Sequence, residues 1–188
     1  MLSIPAEDGI AVKLNASRNI ILMDNSIQFT DVGDEGHWAE DSISFVSSHR
    51  LFIGTSEDTF ATESNTSRIQ LMTVLARLDG ADTSGDALRK GMEWATSAGI
   101  SDGNNPDATI SRQQAVVMMW RYAGCPESSR KLTASDAGDA ADYARIALAW
   151  AVEVGILVGY PDGTLRPEGN VSRAQMAAMV QRFCVTLV

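Results

Sequence analysis

"VSRAQMAAMVQRF", residues 171–183, has a serine in second place and a glutamine three residues after it, and then repeats apolar side chains on one helical face. The same start occurs at 66–78 ("TSRIQLMTVLARL") and at 110–122 ("ISRQQAVVMMWRY"). Ser67, Ser111 and Ser172, with Gln70, Gln114 and Gln175, are the two halves of a capping box. The serine oxygen takes a first-turn N–H, and the glutamine reaches back to the N-cap. Behind each box run the columns Leu71/Ala115/Met176, Val74/Met118/Met179, Leu75/Met119/Val180 and Leu78/Tyr122/Phe183. Their 3-1-3 spacing predicts three helices, each apolar on one side, that bury one another. The eight methionines read as core filler.

Working outward from these helices exposes an internal repeat. Asp31 and Asp136, Trp38 and Tyr143, Phe45 and Trp150, Gly54 and Gly159, Arg68 and Arg173, and Arg77 and Arg182 all keep one offset of 105 residues. A middle copy aligns Phe45 with Trp94 and Gly54 with Gly103, then Arg68 with Arg112 and Arg77 with Arg121. Its central loop, between Gly103 and Arg112, is five residues shorter. The units are 29–78, 79–124 and 132–183, each read as helix, loop, helix. Ile43/Met92/Leu148, Phe45/Trp94/Trp150 and Val46/Ala95/Ala151 mark the first helices. Trp38 and Tyr143 stand at their starts. Gly99 and Gly155 sit where a left-handed cap is needed, with Arg50 in that place in the first copy. Residues 1–28 differ. Ile10, Val12 and Leu14 alternate, and "NASRN" (15–19) looks like a turn, so this segment reads as a short β-hairpin or extended piece, or the end of a preceding module.

With 188 residues, 45% hydrophobic and 21% charged, the chain is globular and mainly α-helical in expectation. A net charge of −9 argues against a nucleic-acid partner or an anionic membrane surface, while leaving room for a local cationic pocket. No run is long enough for membrane insertion, and "MLSIPAEDG" lacks the pattern of a signal peptide. Cys125 and Cys184 have neither metal spacing nor a disulfide framework; they read as buried thiols, with a bridge between them as the alternative.

Arg68, Arg112 and Arg173 each take the first helical position, where the helix dipole disfavours a cation by roughly 0.3–1 kcal/mol. Three such arginines need a reason. One is an ion pair across units, with Asp31 and Asp136 as candidate partners. The other is an anion site, since a helix N-terminus and a guanidinium fork both suit a carboxylate. Trp38 and Tyr143 are either hydrophobic staples or exposed rings on which a sugar can stack. Trp94 and Trp150 read as core.

"FTDVGDEGHWAEDSISFV", "GYPDGTLRP" and "VSRAQMAAMVQRF" resemble the S-layer homology domain, usually three tandem copies. The resemblance covers residues 29–183. It implies a pseudo-threefold bundle whose inter-repeat grooves bind a cell-wall polysaccharide, often one with ketal-linked pyruvate. It assigns ligand contacts to Arg68, Arg112 and Arg173, to Asp31 and Asp136, to Trp38 and Tyr143, and to Tyr160 of the "GYPDGT" loop. It also implies an extracellular location at the cell wall or S-layer and fusion to another extracellular domain. Serine and glutamine replace the threonine and glutamate of the family's capping box. The middle copy has Ala87 at the tryptophan position and lacks the Phe-x-Asp-Val start; only the third copy keeps the Gly-Tyr-Pro-Asp-Gly-Thr loop.

An enzyme is poorly supported. His37 and His49 have no counterparts in the other copies, and no nucleophile constellation, phosphate loop, zinc spacing or cofactor motif is visible. Counting from Asp102, the positions needing glycine and glutamate in a calcium loop hold Asp107 and Gln113, so no metal site is expected. The rival to a glycan-binding module is a helical-repeat scaffold for another protein.

Overall fold

The computed structural model describes residues 3–6, 9–12, 25, 27–33 and 36–187. It is mainly α-helical. Helices α1 (Glu40–Ser48) and α2 (Arg68–Asp79) form the first pair, α3 (Ala87–Ser97) and α4 (Arg112–Tyr122) the second, and α5 (Arg145–Glu153) and α6 (Arg173–Thr186) the third. Two strands, β1 (Ser3–Ala6) and β2 (Gly9–Val12), pair antiparallel with Ala6 opposite Gly9. Ser3 pairs with Val12 at the other end of this short ladder. The sequence places a turn at "NASRN". That stretch, residues 15–19, lies outside the described residues.

The three capping boxes form. Ser111 and Ser172 each accept from the glutamine N–H at 3.3 Å. The returning bonds to Gln70, Gln114 and Gln175 are 2.9, 3.1 and 3.2 Å. The apolar columns are inside one continuous core: Leu71, Ala115 and Met176 are fully buried, and Val74, Met118 and Met179 nearly so. Helices α2 and α4 touch directly. Tyr122 of α4 meets Phe183 of α6 edge-on at 5.6 Å, and Trp150 meets the same ring at 6.3 Å. Met72, Met118, Met119, Met176 and Met179 are buried as filler. Arg50, Gly99 and Gly155 all have positive φ (54°, 71° and 79°), as their place after the first helices requires.

Helix pairing runs around a ring rather than within units. Helix α2 packs on α3, α4 on α5, and α6 back on α1, so each second helix lies against the first helix of the next unit. Helices α2 and α3 approach closely: a Cβ on Gly91 would sit 2.6 Å from Thr73 Cα. On the axis, Thr66 N–H donates to the Val171 carbonyl (2.8 Å), Val171 N–H to Ile110 (3.1 Å), and Ile110 N–H to Thr66 (2.9 Å). Those three residues immediately precede the capping serines and are fully buried. A closed triangle of backbone bonds is the geometry of three equivalent strands' ends meeting at a pseudo-threefold axis.

Cys184 is buried, and burial pushes its thiol up to about 12. Cys125 is exposed, contrary to the expectation of a buried thiol, and the two cysteines are not bonded. Gly124 and Cys125 both turn left-handed after α4, which swings the Cys125 side chain off the helix face.

Candidate functional site

The cap arginines are the joints of the ring. Arg173 of the third unit donates from Nε to the Phe60 carbonyl (2.6 Å) and from Nη2 to Ile53 (2.7 Å), both in the first unit's loop. Arg112 does the same to Leu165 (2.7 Å) and Val158 (2.8 Å) in the third. Arg68 reaches the Asn104 carbonyl (3.0 Å) in the second. At the third equivalent point it meets a side chain instead of a carbonyl: Asp102 Oδ1 at 3.0 Å.

The helix N-termini are closed in the same way. Arg68, Arg112 and Arg173 donate their backbone N–H to Ala108, Gly169 and Ser64, and the next residues donate to Pro106, Pro167 and Thr62. The first-turn donors that would suit an anion are thus taken by neighbouring carbonyls. Any anion contact falls to the guanidinium groups.

Asp31 and Asp136 do not form the ion pairs considered from sequence. Asp31 accepts from Phe60 N–H (2.8 Å) and Thr62 N–H (3.0 Å); Asp136 accepts from Leu165 N–H (2.8 Å) and Arg166 N–H (2.7 Å). The residue whose N–H each carboxylate holds is the residue whose carbonyl takes the arginine. Each aspartate therefore fixes an arginine through the backbone of one residue. Burial raises both carboxyls, and the N–H donors outweigh it and hold both below the ordinary value.

Ala61, Asn105 and Arg166 follow those carbonyls and are all left-handed, with φ of 61°, 46° and 49°. None is glycine, so the sequence carries no signal for this turn. The conformation costs about 1–2 kcal/mol per residue and persists because it aims the carbonyl at the guanidinium.

Arg112 and Arg173 are only 5% and 3% exposed. Among the described residues, neither has a carboxylate at ion-pair distance. Phe52 and Phe60 flank Arg173, with ring centroids 4.2 and 4.7 Å from its Cζ. Tyr160 lies 4.9 Å from Arg112 and 3.9 Å from Arg166, and its hydroxyl accepts from Gln175 Nε2 at 3.3 Å. Burial lowers both cap arginines, Arg173 to about 10. Cation–π contacts offset part of the burial cost.

Arg68 differs, because the second unit's loop lacks the counterparts of residues 55–59 and 160–164. Where the first unit has Phe52 and Phe60, and the third has Leu157 and Leu165, the second has Ser101 and Asn104. The apolar cover and the hairpin that carries Tyr160 are both gone. A groove of about 260 Å³ opens there, bordered by Arg68, Ser101, Asp102, Gln114, Arg121 and Tyr143. Val117 and Met118 also line it. Tyr143, on the short turn Asp142–Ala144 before α5, is 57% exposed. Arg121 spends Nη1 on the Ile100 carbonyl, 3.1 Å away. This groove unites Arg68 and Tyr143, two of the residues singled out from sequence, and adds Gln114, Arg121 and Asp102, which were not singled out as ligand contacts.

Trp38, before α1, is 62% exposed and stacks on His37 at 5.7 Å. By the threefold it belongs to the groove of Arg112. Ala87 takes that place beside Arg173, where no aromatic faces the groove start. Trp150 is buried, and Trp94 is half-buried with its Nε1 donating to Asp79 at 3.1 Å.

Residues 28–72 and 135–177 match the S-layer homology domain. Two copies are matched; the middle unit, 79–124, lies outside both segments. Among curated relatives, cell surface glycoprotein 1 of Acetivibrio thermocellus is 38% identical over 45% of this chain and 4% of its own length. Amylopullulanase of Thermoanaerobacterium thermosulfurigenes is 29% identical over 81% of this chain and 9% of its own. The cellulosome-anchoring protein of A. thermocellus is 30% identical over 42% of this chain and 18% of its own. The chain thus spans less than a fifth of each of these relatives.

Proposed function

We propose that the chain is a non-catalytic cell-surface anchoring module that binds an anionic cell-wall polysaccharide, with the Arg68 groove as its principal site. The observation that carries this reading is the convergence of Arg68, Arg121, Gln114 and the exposed Tyr143 on one open groove. A guanidinium with N–H donors to spare suits a sugar carboxylate such as a pyruvate ketal, and an exposed phenol ring suits the apolar face of a pyranose. The two S-layer homology matches, and relatives named for cell-surface and cellulosome-anchoring roles, support location at the bacterial cell wall or S-layer. They also support fusion to a further extracellular domain, since the chain is a small part of each relative.

In this reading Arg68 and Tyr143 touch the glycan. Arg112 and Arg173 close the ring, and their unused N–H groups face a ligand only if the covering rings move. Asp31 and Asp136 position the loops, Tyr160 covers Arg112, and Trp38 is the stacking platform of the related groove. The test is co-sedimentation with purified wall polysaccharide, native and depyruvylated, beside capture from a surface-protein extract. Binding to the native polymer that falls on depyruvylation is the expected result. Capture of one protein without binding to either polymer would favour the helical-scaffold alternative and overturn this one.

A further inference from the structure

The Arg68 groove holds a carboxylate where its two symmetry mates have none. Ile53 and Val158 present a backbone carbonyl to the arginine and a half-exposed apolar side chain to solvent; Asp102 presents its side chain to both. Its carboxylate is 62% exposed yet held in place by Arg68, by Asn104 N–H (3.0 Å) and by Asn104 Nδ2 (3.1 Å). The Asn104 hydrogen bonds, with Arg68 beside them, hold its carboxyl below the ordinary carboxylate value. Two guanidiniums and one fixed carboxylate leave the groove with a single net positive charge. That balance suits a ligand with one negative charge and hydroxyls to donate, and disfavours a dense polyanion.

We infer that Asp102 is the specificity-determining residue of this groove, selecting a sugar that bears one carboxylate and a neighbouring free hydroxyl, and rejecting phosphate-rich wall polymers. The inference rests on the glycan-binding reading above. Asp102 accepts the sugar hydroxyl while Arg68 and Arg121 share the carboxylate. A phosphodiester chain brings repeated charge to Asp102 and offers fewer hydroxyl donors at that point.

The experiment measures calorimetric affinity for pyruvylated wall oligosaccharide and for poly(glycerol phosphate), using the full chain and its Asp102→Asn variant. Glu127→Gln, an exposed site outside the groove lining, controls for the change in net charge. Native protein should prefer the carboxylated sugar. Asp102→Asn should bind poly(glycerol phosphate) at least tenfold more tightly and the sugar several-fold more weakly, so that the preference collapses, while Glu127→Gln keeps it. An unchanged ratio in Asp102→Asn, or an equal shift in Glu127→Gln, overturns the role of Asp102 alone. Failure of the native protein to bind the sugar overturns the glycan-binding reading as well.

Discussion

The loops of the second and third units do the same mechanical job with different chemistry. In the third, Asp136 clamps Leu165, Leu165 takes Arg112, and Tyr160 covers the joint. In the second there is no such clamp: the position of Asp31 and Asp136 falls outside any Phe-x-Asp-Val start, the loop is five residues shorter, and Asp102 both braces the turn and pairs with Arg68. The longer loop makes a buried fastener. The shorter one leaves a reachable cation beside an exposed ring. From sequence the middle copy looks like the decayed one, yet it is the copy whose losses open a groove.

If that contrast is right, the three arginines should separate in stability. Arg112→Ala and Arg173→Ala each strand two carbonyls and leave a cavity, so unfolding free energy should fall by about 3–5 kcal/mol in chemical denaturation. Arg68→Ala removes two neutral bonds, to Asn104 and the long one to Ser101, and an ion pair with an exposed carboxylate, for about 1–2 kcal/mol. Equal losses at all three positions would erase the distinction between fastener and site.

The clamp itself is next. Asp31→Asn or Asp136→Asn should cost about 1–3 kcal/mol, since each carboxylate serves two N–H groups. The pH dependence has a definite sign. Both carboxyls titrate below their ordinary value of 3.8 when folded, so their stabilisation is complete above that pH and is lost as pH falls below it. Melting curves between pH 5 and 2 should therefore fall more steeply for the native chain than for the Asp31→Asn, Asp136→Asn double variant.

Much of this architecture was readable and some was not. Periodicity and the capping boxes fixed the helices and buried columns, because one-sided stripes have few other solutions. Arg50 was foreseen in its left-handed place because Gly99 and Gly155 mark it in the other copies. The left-handed Ala61, Asn105 and Arg166 were invisible, since none is a glycine and their strain is imposed by partners more than 40 residues away in some cases. The ring order, with α6 returning to α1, and the capture of Arg112 and Arg173 by carbonyls rather than carboxylates were also hidden: backbone acceptors leave no mark in residue identity. Tyr143 and Arg68 are legible by their repeat positions, whereas Asp102 carries no sequence signal beyond the start of a loop that fails the calcium pattern.

The smallest effect concerns the axis. Thr66 Oγ1 is buried with no hydrogen-bond partner, and its equivalents are Ile110 and Val171. Thr66→Val should raise stability by about 1 kcal/mol in the same denaturation assay. A loss would mean that the triangle tolerates the hydroxyl for a reason outside this account.

Affinity of folded Arg68→Lys for pyruvylated wall oligosaccharide, measured by calorimetry and scaled to the folded fraction, tests the central claim most directly. Lysine keeps the charge and loses the fork, so the account predicts binding weaker by roughly ten- to a hundredfold, with only a small change in melting temperature. Unchanged affinity in the folded variant would contradict it and leave Arg68 as one more fastener of the ring.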